Sequence, residues 1–217
     1  MSTPRVLVVL SGCGFLDGSE IHESVLALLF LDRAGATVTC AAPDKAQIHV
    51  VNHVTNGAES GTRNVLIESA RIARGNVVSL AMVSADNFDA VVLPGGYGAA
   101  KNLSSVATQG ANASVDADLL RLLRAFRAAQ KPICALCISP AVVVAALREG
   151  VVTIGNDPGT AGAIAAMGGT HQEQPVTGVC IDQARKLVTT PAYMYDARVA
   201  EVAVGIEAAI GATLRLV

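Results

Sequence analysis

Cys137 stands where a sulfur nucleophile would be expected to work. It ends the apolar run in Lys131-Pro-Ile-Cys-Ala-Leu-Cys-Ile-Ser-Pro140. Ser139-Pro140 opens a helix, since Ser is a favoured N-cap and Pro a favoured first helical residue. A nucleophile held on a tight strand-to-helix turn needs small residues two before and two after it, and these are Ala135 and Ser139. The start of a helix offers free N–H groups and the positive end of the dipole, which are expected to favour a thiolate and lower its pKa. The competing reading is a buried small hydrophobe, and this segment alone leaves both open.

Two other segments could complete a site. In Val91-Val-Leu-Pro-Gly-Gly-Tyr-Gly98 a strand runs into paired glycines. Such a backbone can turn its N–H groups inward, so Gly95, Gly96 and Ile138 are candidate donors to a developing oxyanion; a plain turn is the alternative. The loop Ser11-Gly-Cys-Gly-Phe-Leu-Asp-Gly-Ser-Glu-Ile-His-Glu23 places Glu20 and Glu23 three apart, on one face of a helix start. A carboxyl that shares a hydrogen bond with the thiol can relay protons while sulfur attacks. Acidic residues also favour a first turn for electrostatic reasons alone, and this is the preferred reading for Glu20.

The C-x-x-C formed by Cys134 and Cys137 does not support a metal or dithiol site, because residues three apart along a strand face opposite ways and no second ligand pair follows. His49 and His53 have the spacing of one helical face but no third ligand, and read as solvated or capping residues. No phosphate-binding G-x-x-x-x-G-K-[ST] pattern occurs. No metal and no cofactor is expected.

The elements that must position these groups alternate. Strands are predicted over Arg5–Leu10, Thr37–Ala41, Val77–Leu80, Ala90–Leu93, Lys131–Leu136 and Val151–Ile154, with later candidates at Val179–Asp182 and Leu187–Thr189. Helices are predicted to start near Ser19, Thr62, Asp116, Ser139, Gly159 and Tyr195. In the Asp116 helix Leu119, Leu122, Leu123 and Phe126 recur on one face. The alternation implies a mostly parallel sheet with helices on both faces, whose ligand crevice lies beyond the carboxyl ends of the strands.

Composition narrows the classes. The 217 residues are 52% hydrophobic and 3% aromatic, without a linker-like segment, and fit one α/β domain over residues 1–217. A net charge of −2 with scattered Lys and Arg gives no footprint for nucleic acid or an anionic membrane. No apolar run approaches the length of a membrane span or signal core. Five cysteines in a chain of this size point to a reducing compartment, read as the cytoplasm.

Taken together, Ser11-Gly-Cys-Gly14, Asp17-Gly-Ser-Glu-Ile-His-Glu23, Ala42-Pro-Asp44, Thr62-Arg-Asn-Val65, Ala70-Arg-Ile-Ala-Arg-Gly75, Pro94-Gly-Gly96, Gly98-Ala-Ala-Lys-Asn-Leu-Ser104, Cys137-Ile-Ser-Pro140 and Val188-Thr-Thr-Pro-Ala-Tyr-Met194 resemble a known superfamily. It unites PfpI-type proteins, the parkinsonism-associated protein deglycase and class I glutamine amidotransferases; the likeness is greatest to its enhancing-lycopene-biosynthesis (ElbB) branch. The resemblance implies a flavodoxin-like three-layer sandwich, a catalytic Cys137, a partner glutamate at Glu23, an oxyanion site from Gly96 and Ile138, and a homodimer. Glu20, Asn102 and Asp157 are expected around the pocket. Two departures stand out: Ile138 replaces the histidine that follows the cysteine in PfpI-type members, and Asp157-Pro158 replaces a His-Pro. No motif-matched histidine remains for a Cys-His-acid triad, and Asp157 would hinder thiolate formation. The expected activity is glyoxalase-like, on small α-oxoaldehydes. The alternatives are an isoprenoid-linked binding or regulatory protein with a redox-sensing cysteine, and a cysteine hydrolase or amidotransferase.

Overall fold

A computed structural model describes residues 3–217. The strands are β1 (Arg5–Val9), β2 (Thr37–Ala42), β3 (Val51–Asn52), β4 (Gly57–Ala58), β5 (Val77–Ser79), β6 (Ala90–Leu93), β7 (Ile133–Leu136), β8 (Val151–Val152), β9 (Thr170–His171), β10 (Cys180–Asp182) and β11 (Leu187–Thr190). The helices are α1 (Ile21–Arg33), α2 (Val65–Ile72), α3 (Tyr97–Lys101), α4 (Val106–Gln109), α5 (Ala117–Ala128), α6 (Ser139–Leu147), α7 (Pro158–Ala166) and α8 (Val199–Arg215).

Seven strands form one sheet in the order β10-β11-β7-β6-β1-β2-β5. Every pair in it is parallel except β10 with β11, at the edge. Both faces are covered, as the near-continuous apolar strands require. In β1, Val6 and Val8 pack into one core with Phe30 and Leu31 of α1 and Ile206 of α8. Leu7 and Val9 point the other way, into a core with Leu122 and Phe126 of α5 and Val143 of α6. The period of two along a strand is what divides them. This is the flavodoxin-like α/β architecture that the sequence predicts.

Several local expectations shift. Val151–Ile154 contracts to β8, which pairs with β9 outside the main sheet. The N–H groups of Val151 and Thr153 go instead to side chains, Asp182 Oδ2 at 3.0 Å and Thr189 Oγ1 at 2.9 Å. His49 precedes a small β3–β4 hairpin and His53 lies in its turn, so neither rides a helix. His53 Nε2 accepts the Leu16 N–H at 3.2 Å, and no group of three or more potential metal-binding side chains occurs among the described residues. No helix among them is long and apolar enough to cross a membrane.

The strand order places the site. From β1 the chain moves outward to β2 and β5, then returns to add β6 on the other side of β1. The order therefore reverses between β1 and β6, and loops diverging there leave a crevice at the carboxyl edge. The loops after β1, β6 and β7 carry Glu23, Gly96 and Cys137 into it.

Candidate active site

Cys137 sits at the sharp turn between β7 and α6 with φ of 58°, the left-handed region that costs a residue bearing a Cβ about 1–2 kcal/mol. Two bonds hold it there: its N–H donates to Thr190 O at 3.0 Å, and Ser139 Oγ donates to Pro94 O at 2.7 Å. The helix start differs from the expectation. Ile138 is the N-cap residue, already in the right-handed region, and Ser139 makes no cap bond. Its hydroxyl ties the turn to the loop after β6 instead.

Cys137 is 7% exposed, and that remaining surface faces a cavity of about 550 Å³ that it lines with Glu20, Gly96, Ile138, Asp157 and Tyr193. Cys134, three residues earlier, is fully buried in the core beneath α1 and α8, a cluster whose edge Cys137 also joins, and burial pushes its thiol up to about 12. The described cysteines are all free.

Glu23 comes from the first turn of α1 and is fully buried. Its Oε2 accepts the Gly95 N–H at 2.7 Å and its Oε1 accepts the Tyr193 N–H at 3.3 Å. The carboxyl also lies beside the Cys137 thiol. A Cβ placed on Gly95 would lie 2.8 Å from Glu23 Oε2 and 2.9 Å from Cys137 Sγ, so the glycine is what lets the two groups share this spot.

The electrostatics reverse the simple helix-dipole expectation. Burial, then the negative charge of Glu23, hold the Cys137 thiol well above its ordinary value, although the Gly96 and Ile138 N–H groups pull it down. Burial, then Glu20, raise the Glu23 carboxyl to about 8. A terminal dipole is worth a fraction of the cost of removing an anion from water. The largest charge effect opposing the thiolate is that of Glu23.

Of the three expected oxyanion donors, the Gly96 and Ile138 N–H groups act on the sulfur by drawing its pKa down. Gly95 does not, because Glu23 takes its N–H. Asn102 also falls away from the pocket. It is buried under the loop after β1, where its amide donates to Ser11 O and Asp17 O at 2.9 Å each and accepts the Ile48 N–H at 3.1 Å. Glu20 caps α1 by accepting the Glu23 N–H at 2.7 Å, and Asp157 caps α7 by accepting the Thr160 N–H at 2.7 Å. Both caps nevertheless line the cavity. Burial raises the Glu20 carboxyl, whereas the bonds from Thr160 lower that of Asp157.

Tyr193 is the residue to which sequence reasoning gave no role. It lines the cavity, supplies a backbone bond to Glu23, and its hydroxyl lies 2.9 Å from His22 Nδ1. The available signal was its position just past the predicted strand Leu187–Thr189, where loops leave for the crevice.

A model of the DJ-1/PfpI family matches residues 5–190. The ES1 protein homolog, mitochondrial, of Rattus norvegicus is 44% identical over 98% of this chain and 84% of its own length. The human glutamine amidotransferase-like class 1 domain-containing protein 3, mitochondrial, is likewise 44% identical, over 98% of this chain and 83% of its own. Among solved structures, an isoprenoid biosynthesis protein with an amidotransferase-like domain from Ehrlichia chaffeensis superposes with a TM-score of 0.92 at 39% identity, covering 98% of this chain and all of that one. DJ-1beta of Drosophila melanogaster, at 23% identity and a TM-score of 0.57 over 99% of this chain and 96% of that one, shares the fold. With the family match spanning most of its length, this chain belongs to the DJ-1/PfpI family.

Proposed function

We propose that the chain is a cofactor-independent, glyoxalase-like enzyme that converts small α-oxoaldehydes such as glyoxal and methylglyoxal to 2-hydroxy acids. The observation that carries this reading is a buried carboxyl, Glu23, crowded beside a cavity-facing thiol, Cys137, at Gly95, with the Gly96 and Ile138 backbone in the same cavity wall. In the working state the pair holds one proton between them. The thiol proton passes to Glu23 as sulfur adds to the aldehyde carbon, and Glu23 returns it to the resulting alkoxide, which gives a hemithioacetal and leaves the carboxylate free. Glu23 then removes the hydrogen on that carbon, and the Gly96 and Ile138 N–H groups stabilise the enediolate oxygen. Reprotonation at the neighbouring carbon gives a thioester of the 2-hydroxy acid. Water hydrolyses the thioester, releasing the acid and restoring the thiol.

The test is lactate production from methylglyoxal without glutathione. Wild type is expected to turn over, and Cys137→Ala and Glu23→Gln to lose at least about a hundredfold. Turnover by Cys137→Ala at the wild-type rate sinks the mechanism.

We further place the chain in the ElbB branch, as a homodimer. We read it as cytoplasmic, although the rat and human relatives are named as mitochondrial. The second reading, a binding protein linked to isoprenoid synthesis, draws on the likeness to the Ehrlichia isoprenoid biosynthesis protein. Its redox-sensing version fits poorly, since sensor cysteines are exposed and easily ionised. A hydrolase is disfavoured because no histidine lines the cavity among the described residues.

A further inference from the structure

The cavity before Cys137 measures about 550 Å³, far more room than methylglyoxal fills and within the size range of sites that hold much larger ligands. Its walls are largely apolar, with Phe15, Tyr97, Val106, Ile138 and Met194 among them. The charged side chains that line it are Glu20 and Asp157, and no lysine or arginine does so among the described residues. Lys101 is close, but its Nζ stacks 4.8 Å from the Tyr97 ring centroid and reaches Leu16 O instead.

Helix N-termini usually offer an anion a place to bind. Here four open on the cavity: those of α3 and α6, at Gly96 and Ile138, flank the sulfur and are given to the reacting oxygen, and the chain's own carboxylates already occupy those of α1 and α7. Glu20 Oε2 accepts the Glu23 N–H of α1, and Asp157 Oδ2 accepts the Thr160 N–H of α7, each at 2.7 Å. Away from the reacting carbonyl, an anionic substrate group would therefore meet a carboxylate at α1 or α7 instead of free N–H donors. An apolar group would bury surface against the aromatic and aliphatic walls, and a cationic one would gain from Asp157.

We infer that the site selects carbonyl compounds bearing an uncharged or cationic apolar arm and rejects anionic ones such as oxo acids and organic phosphates, with Asp157 and secondarily Glu20 enforcing the choice. This rests on Cys137 being the group that reacts with the substrate carbonyl.

The experiment uses the rate at which Cys137 is alkylated, so that it is independent of turnover. Three probes with one warhead are compared by peptide mass spectrometry: N-phenyl-iodoacetamide, its para-carboxy analogue and its para-trimethylammonio analogue. Each rate is divided by that of the same probe with free glutathione. The neutral and cationic probes are expected to react about tenfold faster than the carboxy probe, a ratio worth about 1.4 kcal/mol. Asp157→Asn keeps a good N-cap residue and is expected to shrink that ratio about threefold, with Glu20→Gln acting in the same direction. Equal rates for the carboxy and neutral probes, or a ratio unmoved by Asp157→Asn, would overturn the inference. So would a complete lack of alkylation at Cys137, which would also count against its catalytic role. Charge-selective alkylation together with absent lactate production would sink the glyoxalase reading and leave the selectivity standing.

Discussion

Glu23 Oε2 and Cys137 Sγ lie 2.8 and 2.9 Å from one point, the position a Cβ would take on Gly95. The acid and the thiol thus meet under a residue that has no side chain, and the N–H of that same residue fixes the acid at 2.7 Å. Gly95→Ala should force the carboxyl or the sulfur aside and reduce turnover by about a hundredfold or more, since misplacement of about 1 Å can cost that much. A crystal structure of the variant with its kinetics would check this; wild-type turnover with an undisturbed Glu23–Cys137 contact would contradict it.

Activity should rise with pH. With the Glu23 carboxyl raised to about 8 and the thiol higher still, both groups are protonated at pH 6 and no base is available to take the thiol proton. The first proton leaves the pair near pH 8, so kcat/KM should climb about tenfold per pH unit below that and flatten above it. A profile with methylglyoxal from pH 6 to 9 measures it. A flat profile would mean that the pair is already ionised at neutrality.

Stability should move in the opposite direction. Glu23 binds its proton more tightly folded than unfolded, so its contribution is fully present below the ordinary carboxyl value of 4.5 and is lost as pH rises through about 8. The steepest slope is about 1.4 kcal/mol per pH unit. Glu23→Gln removes this titration, although one of the two backbone N–H bonds to the carboxyl then lacks an acceptor. Urea unfolding of both proteins from pH 5 to 9 should show the variant gaining on wild type with every unit. Parallel curves would refute the raised carboxyl.

Asn102 should matter for the fold rather than for chemistry. Asn102→Ala strands two carbonyls and one N–H in a buried place, which should cost about 2–4 kcal/mol in denaturant unfolding. The loop it braces leads into Glu20 and Glu23, so any lost activity should recover at lower temperature. A loss below about half a kcal/mol would show that water replaces the amide.

The sequence alone determined the parallel sheet, because apolar strands alternating with longer helical patterns have few other ways to bury both faces. It also indicated the turn at Cys137, because small neighbours and a helix start are local properties, whereas the three-residue spacing left Glu20 and Glu23 open and the family likeness pointed to Glu23. Other features were decided only in three dimensions. The direction of the Gly95 N–H depends on a carboxyl 72 residues away. The raised thiol and the raised Glu23 arise from burial by both packed layers, and a sequence window cannot sum such burial. Asn102 left the pocket for the same reason: a polar side chain in a glycine-rich segment serves whichever unpaired backbone groups the fold brings beside it. Tyr193 reached the site because β11 lies against β7, a neighbour relation between strands that no spacing along the chain records.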